Sequence, residues 1–307
     1  MARILVTGGA GFIGSHLVDR LVERGDDVVV LDDLSLGARE KLGANADRVR
    51  WIRAPVQRIG EHLGALAGVE RIFHLAALIS SHDSLHEPDP YVDANVTGTL
   101  RLIEAARDIG NARILFASSS TVYGERSEPT RRETDVPSPL NVYASTKLTG
   151  EHLLAMYSAL YGFSYTALRL FNVYGPRQNP DHPYANVTCK FAFAAARGQG
   201  VRLYGDGGQS RDFVYVDDVV DAFLAVEAGS AERVYNVGTG EDASILSLLG
   251  HVEAASGAKL AVERLAPWPN DIRAIRADTS RLRAEKGWAP RVGLADGLGR
   301  TVASFAQ

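Results

Sequence analysis

An α/β fold on a doubly wound parallel sheet, with a smaller C-terminal lobe, is what this sequence predicts. Three observations predict it. Short apolar runs of strand length alternate with stretches of helical periodicity through about the first 175 residues. A glycine-rich turn joins the first strand to the first helix. Past Gly175-Pro176-Arg177 the rhythm breaks into loops and shorter elements.

Arg3-Ile4-Leu5-Val6-Thr7 reads as a buried strand and is followed by Gly8-Gly9-Ala10-Gly11-Phe12-Ile13-Gly14. Ile13, Leu17, Val18 and Leu21 then mark a helix, Gly25 and Asp26 end it, and Asp27–Leu31 is the next strand. Gly8, Gly11 and Gly14 form a Gly-x-x-Gly-x-x-Gly pattern. Their missing side chains permit a tight turn and let a pyrophosphate approach the amides at the helix N-terminus. In this strand-turn-helix-strand setting the pattern points to a dinucleotide and a Rossmann-type sheet. Asp32 closes the second strand, where a carboxylate accepts hydrogen bonds from the adenosine ribose and repels a 2′-phosphate, favouring NAD over NADP. The alternative for Asp32 is a solvated acidic turn.

Further strands are expected at 71–75, 113–117 and 165–169, with helices from Asn95 to Ile109 and from Tyr143 to Tyr161. The segments 212–218 and 234–238 read as sheet strands returning to the main domain. The expected division is therefore residues 1–175 with 213–247 as a dinucleotide-binding domain, and 176–212 with 248–307 as a substrate-binding lobe.

The chain has 307 residues, 46% apolar and 23% charged, with a net charge of -4. This balance suits a globular enzyme and argues against nucleic-acid binding. No apolar run is long enough to span a bilayer, and the N-terminus enters a strand without a signal peptide, so a cytoplasmic location is expected. The single Cys189 leaves no internal disulfide and no thiolate set for zinc.

Tyr143-Ala144-Ser145-Thr146-Lys147 sets a phenol and an ammonium four apart on one helix face. A nearby cation is expected to lower the tyrosine pKa from about 10, making Tyr143 a candidate proton shuttle. The bland alternative is a solvated helix face. His82 and His86, with Asp83 beside them, have the spacing of a helical metal pair, but a polar loop is the preferred reading. Asp217 and Asp218 read as helix-start carboxylates rather than cation ligands.

Several blocks now fit one pattern: the glycine-rich turn, 118–124 (Ser-Ser-Ser-Thr-Val-Tyr-Gly), and Tyr143 to Lys147. To these add His74-Leu75-Ala76-Ala77, Asn95-Val96-Thr97-Gly98-Thr99, 170–177 (Leu-Phe-Asn-Val-Tyr-Gly-Pro-Arg), and Tyr204-Gly205-Asp206-Gly207 continuing through Arg211-Asp212-Phe213. Nearly end to end, the chain resembles the extended short-chain dehydrogenase/reductase family, in its NAD-dependent nucleotide-sugar epimerase and dehydratase branch. The resemblance implies that Ser119 hydrogen-bonds the reacting sugar hydroxyl, Tyr143 is the catalytic base and acid, and Lys147 holds the nicotinamide ribose. Serine as a turn hydroxyl remains the alternative for Ser119.

It further implies NAD contacts from Gly8, Gly11, Phe12, Ile13, Gly14, Asp32, Asp33, Leu34, Ser35, Gly37, Val56, Leu75, Ala76, Ala77, Asn95, Ala117, Ser118, Phe171 and Val173, besides Tyr143 and Lys147. Substrate contacts are implied for Ile79, Ser80, Ser119, Ser120, Tyr143, Asn172, Val187, Tyr204, Arg211 and Asp271. For Asn172 and Arg211 the alternatives are a strand-end turn and a surface ion pair.

Dehydratases and decarboxylases of the family carry an acid between the position of Ser119 and Val-Tyr-Gly. Here Ser120 and Thr121 stand there, so elimination is disfavoured and the pattern is similar to that of a 4-epimerase. The implied reaction oxidises C-4 of a UDP-sugar, of glucose/galactose type, to a 4-keto sugar and re-reduces it on the opposite face. UDP-N-acetylglucosamine or UDP-glucuronate 4-epimerases, a nucleotide-sugar dehydratase or oxidoreductase, and a nonenzymatic NAD sensor stay open. Asn172 leans away from uronic acids, which some family members pair with threonine. A homodimer through helices around 95–107 and 143–161 is also implied.

Two departures from the family matter. Ala54-Pro55, followed by Val56, replaces the usual Gly-Asp whose carboxylate contacts adenine. Trp268-Pro269-Asn270-Asp271 replaces Arg-Pro-Gly-Asp, so Arg211, Arg273 or Arg276 would have to neutralise a diphosphate; Trp268 itself is either packing or a stacking wall.

Overall fold

The computed structural model describes residues 2–180, 185–229, 233–267 and 272–306. The chain divides into two compact units. The first comprises Met1–Gly124, Val136–Arg169 and Phe223–Tyr235; the second comprises Glu125–Asp135, Leu170–Ala222 and Asn236–Gln307.

The first unit is organised by a seven-stranded sheet. Strands β1 (Arg3–Thr7), β2 (Asp27–Leu31), β3 (Arg50–Ile52), β4 (Arg71–His74) and β5 (Arg113–Ser119) lie in the order β5-β4-β1-β2-β3. The strands Tyr165–Leu170 and Arg233–Val237 continue it beyond β5. The pairings among β1 to β5 are parallel, and Thr7 stands opposite both Leu31 and His74. The C-terminal ends of three strands are thereby brought level, which is where ligands bind in such sheets.

The strands are near-continuous apolar runs because both faces are covered. Leu5, Val29, Leu31, Ile72, Ile114 and Phe116 pack in one core with Leu102, Ile103 and Leu154 from two helices. Val30 points the other way, toward Val18 of α1 (Phe12–Glu23), and Phe73 meets Phe223 edge to face at 6.0 Å. A doubly wound Rossmann-type sheet is therefore observed. The helix expected from Asn95 is not uniform: Val92–Thr97 is a π-helical turn, and the α-helix proper is Gly98–Asp108. Asn95 on the widened turn is buried.

The second unit holds smaller sheets. Four short strands, Ala243–Ser244, Ser210–Arg211, Ala274–Ala277 and Thr130–Arg131, form one; Val201–Tyr204 pairs with Val262–Leu265 in another. Helices Val187–Arg197 and Leu294–Ala306 pack together, with Phe193 edge-on to Phe305 at 5.6 Å.

One sequence expectation is corrected here. The stretch 212–218 does not return to the main sheet. Only Phe213–Tyr215 is a strand, paired in parallel with Asn172–Tyr174 in a sheet of two, and Val216 opens a helix that runs to Val226. Asp212, just before that strand, is fully buried. Its Oδ1 accepts from the backbone and hydroxyl of Thr239, at 2.7 and 2.8 Å, and its Oδ2 from the amides of Gly240 and Ala277, at 2.9 and 3.0 Å. That carboxylate ties three segments of the second unit into a knot. Residues 170–175, 213–222 and 236–247, assigned by sequence to the dinucleotide-binding domain, cluster with the second unit through these pairings, as does 125–135. The strand reading at 234–238 does place a strand, Arg233–Val237, in the large sheet.

Candidate active site

The glycine-rich turn depends on two positions in particular. Gly8 has φ +72, and a Cβ there would lie 2.7 Å from the amide nitrogen of Ala76. A Cβ on Gly14 would run into the Gly8 carbonyl and sit 2.9 Å from Gly9 Cα. The Gly8 amide donates to Leu31 O at 2.9 Å, and the Gly11 amide to Gly8 O at 3.0 Å. Gly11 caps α1 without any side-chain hydrogen bond. The first-turn amides around Phe12, Ile13 and Gly14 thus meet no capping side chain and remain suited to an anion.

Asp32 is 7% exposed, so it is not a solvated acidic turn. Its Oδ2 accepts from the Ala10 amide at 2.9 Å and its Oδ1 from the Leu34 amide at 2.8 Å. Burial pushes its carboxyl up, against the pull of those two amides. Leu34 takes φ 64, a left-handed conformation held by that second bond. Asp33 turns into its own loop and accepts from the amide and hydroxyl of Ser35, at 2.9 and 2.6 Å. The Ala38 amide, after Gly37, donates to Ala10 O at 3.0 Å and closes this loop onto the glycine turn. Val56 is buried against Gly98.

Beyond β4, the Ala76 amide donates to Thr7 Oγ1 at 3.3 Å, and Leu75 and Ala77 are half-buried. Thr7 Oγ1 lies 2.8 Å from His74 Nδ1, and His74 Nε2 lies 3.0 Å from Thr99 Oγ1, which itself donates to Asn95 O at 2.6 Å. These bonds determine the protons. With its hydrogen committed to Asn95, Thr99 must accept, so His74 carries its proton on Nε2 and accepts from Thr7 at Nδ1. Burial first, then the nearby Lys147 ammonium, brings His74 down to about 3. The Asn95 side chain holds both backbone groups of Leu78, at 2.9 and 3.0 Å, and donates to Thr146 Oγ1 at 3.0 Å. Thr146 in turn donates to Tyr143 O at 2.7 Å.

Tyr143 and Lys147 lie in the helix Val142–Tyr161, whose N-cap Asn141 accepts from the Ala144 amide at 2.8 Å. The Tyr143 amide donates to Ser84 Oγ at 3.1 Å, a contact the sequence did not reveal. Ser119 ends β5. Its Oγ accepts from the Thr121 amide at 3.2 Å and the Thr121 hydroxyl at 2.9 Å. Both bonds are accepted by the Ser119 oxygen, which leaves its proton to be donated, and the Ser119 hydroxyl pulls the Tyr143 phenol down. Ser120 is buried in the short turn that follows; Ser80 is buried next to an exposed Ile79, and its Oγ accepts from the Asp83 amide at 3.0 Å.

The expected lowering of the Tyr143 pKa by Lys147 is corrected. Burial pushes Tyr143 up, Tyr91 adds to this, and only the Ser119 hydroxyl pulls it down. The Lys147 ammonium is spent elsewhere: Nζ donates to Ala117 O at 2.9 Å and sits 5.0 Å over the Phe116 ring. Burial brings Lys147 itself down to about 7.

That shift has a sign that can be checked. A lysine with a depressed folded pKa binds fewer protons folded than unfolded, so it destabilises the fold below about pH 7, and the penalty fades as pH rises toward 10.5. Lys147→Met in nucleotide-free protein is therefore expected to melt above the parent at pH 6, with the gap closing toward pH 10. Thermal melts across that range check it; a gap that widened with pH would contradict it.

One buried pair was missed by sequence reasoning. Glu151 and Arg169, each with a side chain 5% exposed, form a two-pronged salt bridge of 2.9 and 2.7 Å. Ser118 Oγ donates to Glu151 Oε1 at 2.5 Å. A carboxylate two turns beyond Tyr143, and an arginine inside the apolar strand Tyr165–Leu170, were the available signals.

The remaining expected residues lie in the second unit. Phe171 is buried and its amide donates to Val237 O at 3.0 Å; the Asn172 amide donates to Asp212 O at 3.0 Å, leaving its side chain half-buried. Val173 O accepts from Asn186 Nδ2 at 2.7 Å, and Asn186 also caps the helix that Val187 opens. Tyr204 ends its strand, and its carbonyl accepts from Gln209. Arg211 Nη1 donates to the carbonyls of Ser210 and Ile272, at 2.7 and 2.6 Å. Of the substitutes for the missing arginine, Arg273 pairs with Asp206 at 3.0 Å and Arg276 with Asp242 at 2.9 Å. Trp268 and Asp271 lie outside the described residues.

His82 and His86 stack at 4.8 Å, but no group of three potential metal ligands occurs among the described residues. Asp218 accepts from the amides of Arg291 and Val292 at a helix start. No helix among the described residues is long and apolar enough to cross a membrane.

Comparison with known proteins agrees with this arrangement. The chain is 43% identical over 311 residues to the UDP-glucose 4-epimerase of Mycolicibacterium smegmatis, spanning 99% of this chain and 98% of the relative. The structure of Thermus thermophilus UDP-glucose 4-epimerase in complex with NAD superposes with a TM-score of 0.91 at 38% identity, covering 99% and 98% of the two chains. A UDP-N-acetylglucosamine 4-epimerase from Methanobrevibacter ruminantium, in complex with UDP-N-acetylmuramic acid, gives 0.94 at 35% identity over the same shares. With residues 4–238 matching the family as a whole, and the glycine turn, Ser119, Tyr143 and Lys147 inside that span, the chain belongs to the NAD dependent epimerase/dehydratase family.

Proposed function

We propose that this chain is a UDP-sugar 4-epimerase that interconverts UDP-glucose and UDP-galactose with NAD. One observation carries the reading: Ser119, whose hydroxyl pulls the Tyr143 phenol down, ends its strand near a buried Lys147, and the next residues, Ser120 and Thr121, bring no acid. The residues fit the dinucleotide. Uncapped amides at Phe12–Gly14 suit its pyrophosphate, and buried Asp32 suits its adenosine ribose while repelling a 2′-phosphate.

When bound, NAD accepts a hydride from C-4 of the sugar and returns it. The protein's part is orientation and proton transfer. Ser119 Oγ, with both lone pairs taken by Thr121, donates to the sugar 4-oxygen, and Tyr143 takes the proton of the sugar 4-hydroxyl and later restores it. Re-reduction of the 4-keto sugar on its other face inverts C-4. Lys147 holds the nicotinamide ribose. A cation placed there would favour the phenolate that burial disfavours in the free protein. Val56, Asp33, Leu34, Ser35 and Gly37 border the adenine end, and Asn172, Val187, Tyr204, Arg211 and Asp271 serve the nucleotide sugar. The first unit is thus the dinucleotide-binding part and the second the part that binds nucleotide sugar.

The test is product analysis by NMR with catalytic NAD and separate UDP-glucose, UDP-galactose, UDP-N-acetylglucosamine and UDP-glucuronate. Inversion at C-4 of the first two without net NADH is expected. Turnover of only the N-acetylated sugar would move the assignment to the chemistry of the Methanobrevibacter relative; water loss or net reduction would sink the epimerase reading.

A cytoplasmic homodimer is part of the same proposal. Met156 and Leu160, four apart on one helix face, are 49% and 66% exposed, and Val92 and Tyr161 are 44% exposed. Met156→Glu/Leu160→Glu is expected to convert a dimer into a folded monomer, read by light scattering; an unchanged mass would place the interface elsewhere.

A further inference from the structure

Neighbouring residues at the end of β5 are bonded to successive turns of the helix Val142–Tyr161. Ala117 O takes the Lys147 ammonium and Ser118 donates to Glu151, while Ser119, next in the strand, acts on the Tyr143 phenol. Tyr143, Lys147 and Glu151 are spaced four apart and share one buried face. Glu151 does not stand alone, because Arg169 grips both its oxygens, and the Arg169 guanidinium carbon lies 4.8 Å from the ring of Tyr123. Tyr123 closes the short helical turn that starts just after Ser119. Helix, strand end and turn are therefore keyed to one carboxylate.

A buried ion pair is a weak device for stability, since desolvation offsets much of its attraction and apolar replacements often match it. Here the pair is also incompletely satisfied: Arg169 Nη1 is buried with no hydrogen-bond partner. Geometry is the better reason for its presence. We propose that Glu151 and Arg169 are positioning residues for the reaction, holding Ser118, and through it Ser119 Oγ, in register with the Tyr143 phenol. This rests on the epimerase reading above and adds to it residues that do not touch the sugar.

Two variants test it. Ser118→Ala removes only the hydroxyl that joins β5 to Glu151. Glu151→Leu/Arg169→Met replaces the pair by apolar side chains and keeps the interior filled. Both are expected to lose about tenfold or more in kcat, with KM for the sugar and melting temperature close to the parent. Amide hydrogen exchange is expected to quicken about tenfold across residues 118–123 while β1 stays unchanged. A kcat within twofold of the parent, or an unaltered exchange pattern at 118–123, overturns the proposal. If the double variant does not fold, Ser118→Ala decides. A parent inactive on every sugar would instead sink the epimerase reading, and the exchange measurement would still decide whether the pair holds the Ser119 turn.

Discussion

Tyr143→Phe is expected to lose roughly 10³-fold in kcat, within the span of general acid–base catalysis, while binding NAD as the parent does. The substitution keeps the ring, its burial and the helix, whose N-terminal bonds to Ser84 and Asn141 involve backbone amides. What disappears is the phenolic oxygen proposed to take the proton of the sugar 4-hydroxyl. Ser119 cannot replace it, because its oxygen already accepts two bonds from Thr121. Single-turnover assays alongside an NAD titration check this. A variant within tenfold of the parent would move the acid–base role to another group; one that lost NAD as well would mean that the ring supports the cofactor rather than the proton.

The largest effect on stability is expected at a residue that makes no chemistry. Asp212→Ala would take the acceptor from the buried Ala277 amide and from the half-buried amides of Thr239 and Gly240. A stranded buried donor costs about 1–3 kcal/mol, and losing all three bonds removes a large part of the stability of an ordinary domain, about 5–15 kcal/mol. Failure to accumulate as folded protein, or a melting temperature lower by roughly 10 °C or more, is the expected outcome. Asp212→Asn keeps the volume but turns an amide donor toward donors, so it should fall between alanine and the parent. Calorimetry of the three proteins checks the ranking; an alanine variant melting within a few degrees of the parent would show that water or a local shift replaces the carboxylate.

The sheet and its glycine turn were legible because their causes are local. Periods of two and 3.6, and glycines at fixed offsets, report backbone constraints that no distant residue can change. β1, β2 and the helix carrying Tyr143 fell where the pattern put them. What was not legible depended on partners far apart in sequence. Asp212 looked like the start of a strand because Phe213, Val214 and Tyr215 follow it, yet its carboxylate is taken by Thr239, Gly240 and Ala277, and the strand that follows is only those three residues. The direction of the Tyr143 shift failed for a similar reason. Spacing placed an ammonium on the same helix face, but it could not show that burial would outweigh any such charge or that Ala117 O would take that ammonium. Glu151 and Arg169 were each readable as misplaced charges in apolar surroundings; only the fold brings them together.

Asp32 has a consequence for how the cofactor preference of this chain could ever change. The carboxylate proposed to turn away a 2′-phosphate also staples Ala10 and Leu34 through their amides, and Leu34 would otherwise have little reason to stay left-handed. A single step to a neutral or basic residue would open the door to NADP and loosen the hinge on which that door hangs. Discrimination between the two dinucleotides is thus inherited together with the integrity of the turn, and drift from one to the other must pass through a second, compensating change in the loop from Asp33 to Gly37.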